Sequence, residues 1–149
     1  MTATFDFTRR LRAVSDRDLD RLQDHFVGPA NDFDAATLGD HTLFPLEMTW
    51  FYGEPVWHAL SPEMRLKLNR LSFCQSYLST AVAEMATNVL NLEAGLAAII
   101  DDDPEVALYM AREAVEETTH IQSFLTVIKK VLAYYGHTLD ELRATNVSL

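Results

Sequence analysis

Apolar residues recur at helical spacing along most of this chain, and no stretch shows the strict alternation of a half-buried strand. From Glu63 to Ile99 there is no proline, and Gly95 is the only glycine. Leu66, Leu68, Leu71, Phe73, Leu78, Val82, Met85, Val89, Leu92 and Leu96 mark the apolar faces of one long helix there. Ser61-Pro62-Glu63 predicts its start: an N-cap serine, proline in the first turn and an acid beside the positive end of the helix dipole. Asp103-Pro104-Glu105 starts a second helix by the same device. Its apolar positions run from Val106 through Leu108, Met110, Ala114, Ile121, Phe124, Leu125 and Ile128 to Val131, and Gly136 stops it. Lys129 and Lys130 fall in its final turns, where cations suit the dipole. Thr138-Leu-Asp-Glu141 has the form of a capping box for a short last helix.

The N-terminal part is less regular. Ser15-Asp-Arg-Asp18 predicts a helix start, Leu19, Leu22 and Phe26 continue it, and Gly28-Pro29 predicts its end. From residue 28 to residue 60 the chain carries Gly28, Pro29, Gly39, Pro45, Gly53 and Pro55, interleaved with Phe33, Phe44, Trp50, Phe51, Tyr52 and Trp57. So long an irregular segment is expected to pack on its own side chains. It is read as a wrap that buries those rings in the core, with a helical turn near Val56 to Leu60. The fold class is all-α. One domain is expected over residues 1–149, with the N-terminal helix and aromatic wrap in 1–60, and a long antiparallel helix pair plus a short last helix in 61–149.

Composition narrows the function. The chain has 149 residues, 48% of them hydrophobic and 23% charged, as in an ordinary globular protein. Its net charge of −10 and pI of about 4.8 argue against nucleic acid or an anionic membrane as partner. No apolar run reaches signal-peptide or membrane-spanning length, and one cysteine, Cys74, allows no internal disulfide. A cytoplasmic protein is expected, with Cys74 as a small buried hydrophobe.

The candidate chemistry sits on the two long helices. Glu117 and His120 are three apart and project from one helix face, the spacing by which a four-helix bundle presents a carboxylate and an imidazole to a metal pair. Glu84 lies on the preceding helix, eighteen residues before Asp102, whereas Glu117 lies fifteen after it. If the chain reverses at Asp101-Asp102-Asp103, the two carboxylates differ in height by roughly 4.5 Å, less than one turn. Ala81, Ala83, Ala86 and Ala114 allow close helix approach, and Thr80, Asn88 or Thr119 could orient ligands. Glu116 points elsewhere and is read as a surface residue. By spacing alone the same three residues also suit a solvated polar seam. His25, His41, His58 and His137 have no metal-binding spacing around them.

The ordered set is more specific than its parts. Trp50-Phe-Tyr-Gly-Glu-Pro-Val-Trp-His-Ala-Leu-Ser-Pro-Glu63, Leu68-Asn-Arg-Leu-Ser-Phe73, Tyr77-Leu-Ser-Thr80, Glu84 and Glu113 through Phe124 together resemble the p-aminobenzoate N-oxygenase (AurF-like) di-iron oxygenases, over roughly residues 40 to 135. The resemblance implies a ferritin-like helical bundle in which two irons activate O2, typically to oxygenate an arylamine nitrogen. It makes Glu84 a terminal or bridging ligand, Glu117 a bridging carboxylate and His120 an imidazole ligand. Such oxygen and nitrogen donors suit non-haem iron or manganese.

The departure is in the second half of the ligand set. After His120 the chain holds one glutamate, Glu141, and one histidine, His137. The second helix pair of the bundle is therefore expected from a symmetric homodimer or from a second polypeptide, unless the chain is a metal-free helical interaction module. Association is expected in each case, because a lone hairpin exposes too much apolar surface. The leading expectation is a di-iron oxygenase or oxidase with a small-molecule substrate. A ferritin-like iron binder without an organic substrate is the alternative.

Overall fold

The computed structural model describes residues 20–144, and every regular element among them is helical. A first helix takes a π turn over Gln23–Val27 and continues as α1 (Gly28–Asp32). Two 3-10 turns, Ala35–Leu38 and Leu46–Met48, precede α2 (Pro55–Ala59). The long helices are α3 (Pro62–Ile100) and α4 (Pro104–Tyr134), which pack together, and α5 (Leu139–Ala144) closes the described chain. No helix among the described residues is long and apolar enough to cross a membrane.

The helix boundaries follow the caps. Ser61 Oγ accepts the Met64 N–H at 3.2 Å, and Asp103 Oδ1 accepts the Val106 N–H at 3.3 Å. Asp102 adopts a left-handed backbone (φ 57°) at the reversal, and the Asp103 N–H reaches back to Ala98 O at 2.8 Å. At the end of α4, Gly136 (φ 73°) lets the His137 N–H bond Leu132 O at 2.9 Å, the six-to-one closure of a helix C-terminus. The Thr138 N–H donates to Glu141 Oε2 at 2.7 Å, and the Glu141 N–H donates to Thr138 Oγ1 at 3.2 Å, so the capping box is complete.

The start anticipated at Ser15–Asp18 lies outside the described residues, and the stop anticipated at Gly28-Pro29 is overturned. Proline has no N–H to donate, and in a regular helix its ring crowds the carbonyl four residues back. Here the Gly28 N–H bonds Gln23 O, widening the turn just ahead of Pro29, and the helix runs on to Asp32.

The chain divides into two compact units, described separately. The first combines the described residues up to Asn31 with Ala81–Ser123, including the reversal at Asp101–Asp103. Gly95 faces α4 closely: a Cβ there would stand 3.3 Å from that of Met110. On α3 the residues Val82, Met85, Val89, Leu92, Leu96 and Ile99 are all exposed. Their spacing alternates three and four, as along a helix-packing seam.

The second unit combines Asp32–Thr80 with the described residues from Phe124 onward. Its core is Ala35, Cys74, Leu78, Ile128, Val131, Leu132 and Leu142. Cys74 is fully buried, and burial pushes its thiol up to about 12, so it packs as a hydrophobe. The aromatic wrap is held less by its rings than expected. Trp57 is buried, but Trp50, Phe51 and Tyr52 are exposed.

Buried polar side chains of α3 hold the segment instead. Asn69 accepts the Leu43 and Phe44 N–H groups at 3.1 and 3.3 Å, and its amide donates to Phe44 O and Thr49 Oγ1 at 2.9 and 2.7 Å. Arg70 donates to Gly39 O and His41 O at 2.7 and 2.9 Å and to the Tyr135 hydroxyl at 3.0 Å. Ser72 Oγ accepts the Trp50 N–H at 3.1 Å. A loop without a ladder must satisfy its backbone somewhere, and these side chains do so.

Candidate metal centre

Glu84 on α3 and Glu117 and His120 on α4 converge within the first unit. One ligand atom from each lies within 4.8 Å of the others, and all three residues are half-buried. His120 Nδ1 stands 3.2 Å from Glu117 Oε2, so the three-residue spacing closes a carboxylate–imidazole pair on one turn. A hydrogen bond links the carboxyls of Glu84 and Glu117. That bond, then burial and the charge of Glu117, raises Glu84 above its ordinary range, while His120 pulls the other way.

Two carboxyls so placed need a proton or a cation between them. The oxygen and nitrogen donors match the preference of iron or manganese. Glu84, Glu117 and His120 are therefore a group that could hold a metal ion.

The surroundings were only partly anticipated. Asn88, one turn beyond Glu84, donates to Thr118 Oγ1 at 3.2 Å, while its buried Oδ1 has no hydrogen-bond partner among the described residues. Thr80 and Thr119 bond carbonyls of their own helices, Ser76 O at 3.2 Å and Val115 O at 2.9 Å. Of the three candidates for orienting a ligand, Asn88 alone keeps an unsatisfied buried atom. Glu116 turns away from the centre and pairs with Arg112 at 3.3 Å, as its register predicts.

Phe26 gave no sequence signal as a site residue. Its ring lies edge-on to His120, centroids 4.8 Å apart at 77°, and covers one side of the imidazole. It is set there by the π turn that contains it, a conformation frequent at functional sites. His25 packs edge-to-face with Phe26, centroids 5.5 Å apart, and His137 lies 3.8 Å from Glu141 at the α5 cap.

A family model described as "Acyl halogenase CylC-like" matches residues 28–139, which includes all three donors and the anchored wrap. It supports the coarser reading of the resemblance, a di-iron type of helical oxidoreductase family, and not the N-oxygenases in particular. No curated protein and no solved structure matches the chain.

Proposed function

The chain belongs to the CylC-like acyl halogenase family, and from that premise we propose that it forms, with a second copy of itself, a dinuclear metal site for O2-dependent oxidation of a small organic substrate. The observation that carries this reading is the convergence of Glu84, Glu117 and His120 within 4.8 Å. A di-iron bundle takes a glutamate from each of two helices and a Glu-x-x-His pair from each of two others. One chain supplies half of that set, and a two-fold axis would supply the rest without any new residue type.

Two irons, when bound, supply the reduction of O2. The chain's residues hold and shield them. Glu84, Glu117 and His120 would hold them with both carboxyls ionised, and the contact of Glu117 with His120 Nδ1 would orient the imidazole. Phe26 excludes water from one side of that imidazole.

The family's description as an acyl halogenase supports, as the first reading, halogenation of an acyl chain at a C–H bond. Halogenation takes one O2, one halide, two electrons and three protons for each C–H bond converted to carbon–halogen, and releases two waters. The motif order favours a second reaction, oxygenation of an arylamine nitrogen, which needs no halide. Both require an external electron donor.

Purification without chelators, followed by metal analysis and native mass, tests the site. The expected result is about two irons per dimer, lost in Glu117→Ala with helicity retained, since alanine suits a helix. A protein still metal-free after anaerobic loading with ferrous iron would overturn it. Halide-dependent O2 consumption with an acyl thioester, compared with halide-independent consumption with an arylamine, separates the two reactions. Iron binding without either identifies the ferritin-like alternative.

A further inference from the structure

A single charged residue, Glu93, stands on α3 between Glu84 and Asp101. Along this stretch the row of Val82, Met85, Val89, Leu92, Leu96 and Ile99 is bare, each residue between 47% and 64% exposed. The row runs for roughly 25 Å of helix. Apolar surface that long and continuous on a helix marks a contact.

The row does not face α4. Glu84, Asn88 and Gly95 meet α4, at Glu117, Thr118 and Met110. Met85, Val89 and Leu96 each stand one position later, about 100° round the helix. The row is therefore a second face of α3, open to another helix.

Three observations make a second copy of the chain its occupant. First, the row pairs with itself when two α3 helices lie antiparallel across a two-fold axis. Val82 then meets Ile99, Met85 meets Leu96 and Val89 meets Leu92 of the second copy. No layer sets valine against valine, so none is left thin. Second, like charges stay apart in that register. Glu93 comes level with Asn88 of the second copy, and the two acidic reversals at Asp101–Asp103 lie at opposite ends. A parallel pairing would bring glutamate to glutamate and reversal to reversal. Third, the area suffices. The six side chains expose roughly 500 Å² per chain, so pairing removes about 1,000 Å² from water, the least that a specific interface needs.

We propose that this row is a two-fold contact between the α3 helices of two chains, made without metal. It differs from the contact that would complete the metal centre. In this pairing the two copies of Glu84 stand roughly 20 Å apart along the helices, too far to serve one pair of ions. The contact stands whether or not iron binds.

Sedimentation equilibrium of the full chain over a concentration series, with a chelator present, tests it. The expected result is a dimer with a dissociation constant on the order of micromolar, tightening as salt screens the net charge of −10. Val89→Glu and Leu92→Lys should each weaken it at least about tenfold. Circular dichroism should be unchanged in both, because both positions are exposed. Mixed in equal amounts, the two variants should recover the dimer, since the antiparallel register sets one new charge against the other. A parent that stays monomeric, a dimer that salt dissolves, variants that pair as the parent does, or a mixture without recovery would each overturn the proposal. Added iron is the separate test of the shared centre, which joins chains through a different face.

Discussion

A hydrogen bond between two carboxyl groups lasts only while one of them keeps a proton. Hydrogen bonding to Glu117 raises Glu84 in this way, so a metal held by the pair would compete with a proton for the same oxygens. Glu84→Gln removes the competition by offering Glu117 an amide donor. The expected outcome is a metal-free protein at least as stable as the parent in thermal denaturation, with iron affinity at least about 100-fold weaker by equilibrium dialysis. Parent-like affinity would show that Glu84 is not a ligand. At this scale the sequence was legible where helix geometry alone sets position: heights counted from Asp102 put Glu84 within a turn of Glu117, and the two converge with His120. It was silent on Phe26, whose aim depends on a π turn, and on Asn69 and Arg70. Those two look like ordinary polar positions on a helix until a distant loop claims them.

Helix ends were the most legible elements, because a cap is a short-range interaction written in consecutive residues. Ser61, Asp103 and the Thr138–Glu141 box all serve as their order indicates. The wrap between residues 32 and 55 was not legible in detail. Its turns are fixed by side chains more than twenty residues away, and ring content alone pointed wrongly to burial of Trp50, Phe51 and Tyr52.

The α5 cap carries a pH dependence. Bonds with Thr138, the backbone N–H first and the side chain next, hold the Glu141 carboxyl below its ordinary 4.5, with His137 adding a smaller pull. A depressed carboxyl stabilises the fold fully above the ordinary value, and that contribution is lost as pH falls through the depressed one. The Thr138 amide resonance should therefore move on acidification with a midpoint below 4.5. In Glu141→Gln, which keeps an acceptor but cannot titrate, that movement should vanish. A midpoint above 4.5 would contradict the assignment.

For the molecule as a whole, the proposed contacts would have to cover the exposed row from Val82 to Ile99 and complete the three-donor centre. All-helical architecture and the long helix pair were readable from periodicity. Donors beyond these three were not, because periodicity describes one chain and, on the proposed reading, the rest would come from a second copy. If iron sits between two copies, binding ties the chains together, and dilution and chelation should each promote separation. Sedimentation with and without iron checks this: an assembly indifferent to the metal would place the donors elsewhere.

Three donors per chain also bear on inheritance. A centre assembled from two equal halves is only as good as its poorer half. If the proposed dimer shares one centre, refolding parent and Glu117→Ala chains together in equal amounts should leave about a quarter of the dimers with both Glu117 carboxylates, where independent sites would leave half intact. Iron content of that mixture should follow the quarter. A defective allele would then act dominantly, disabling sound copies by joining them.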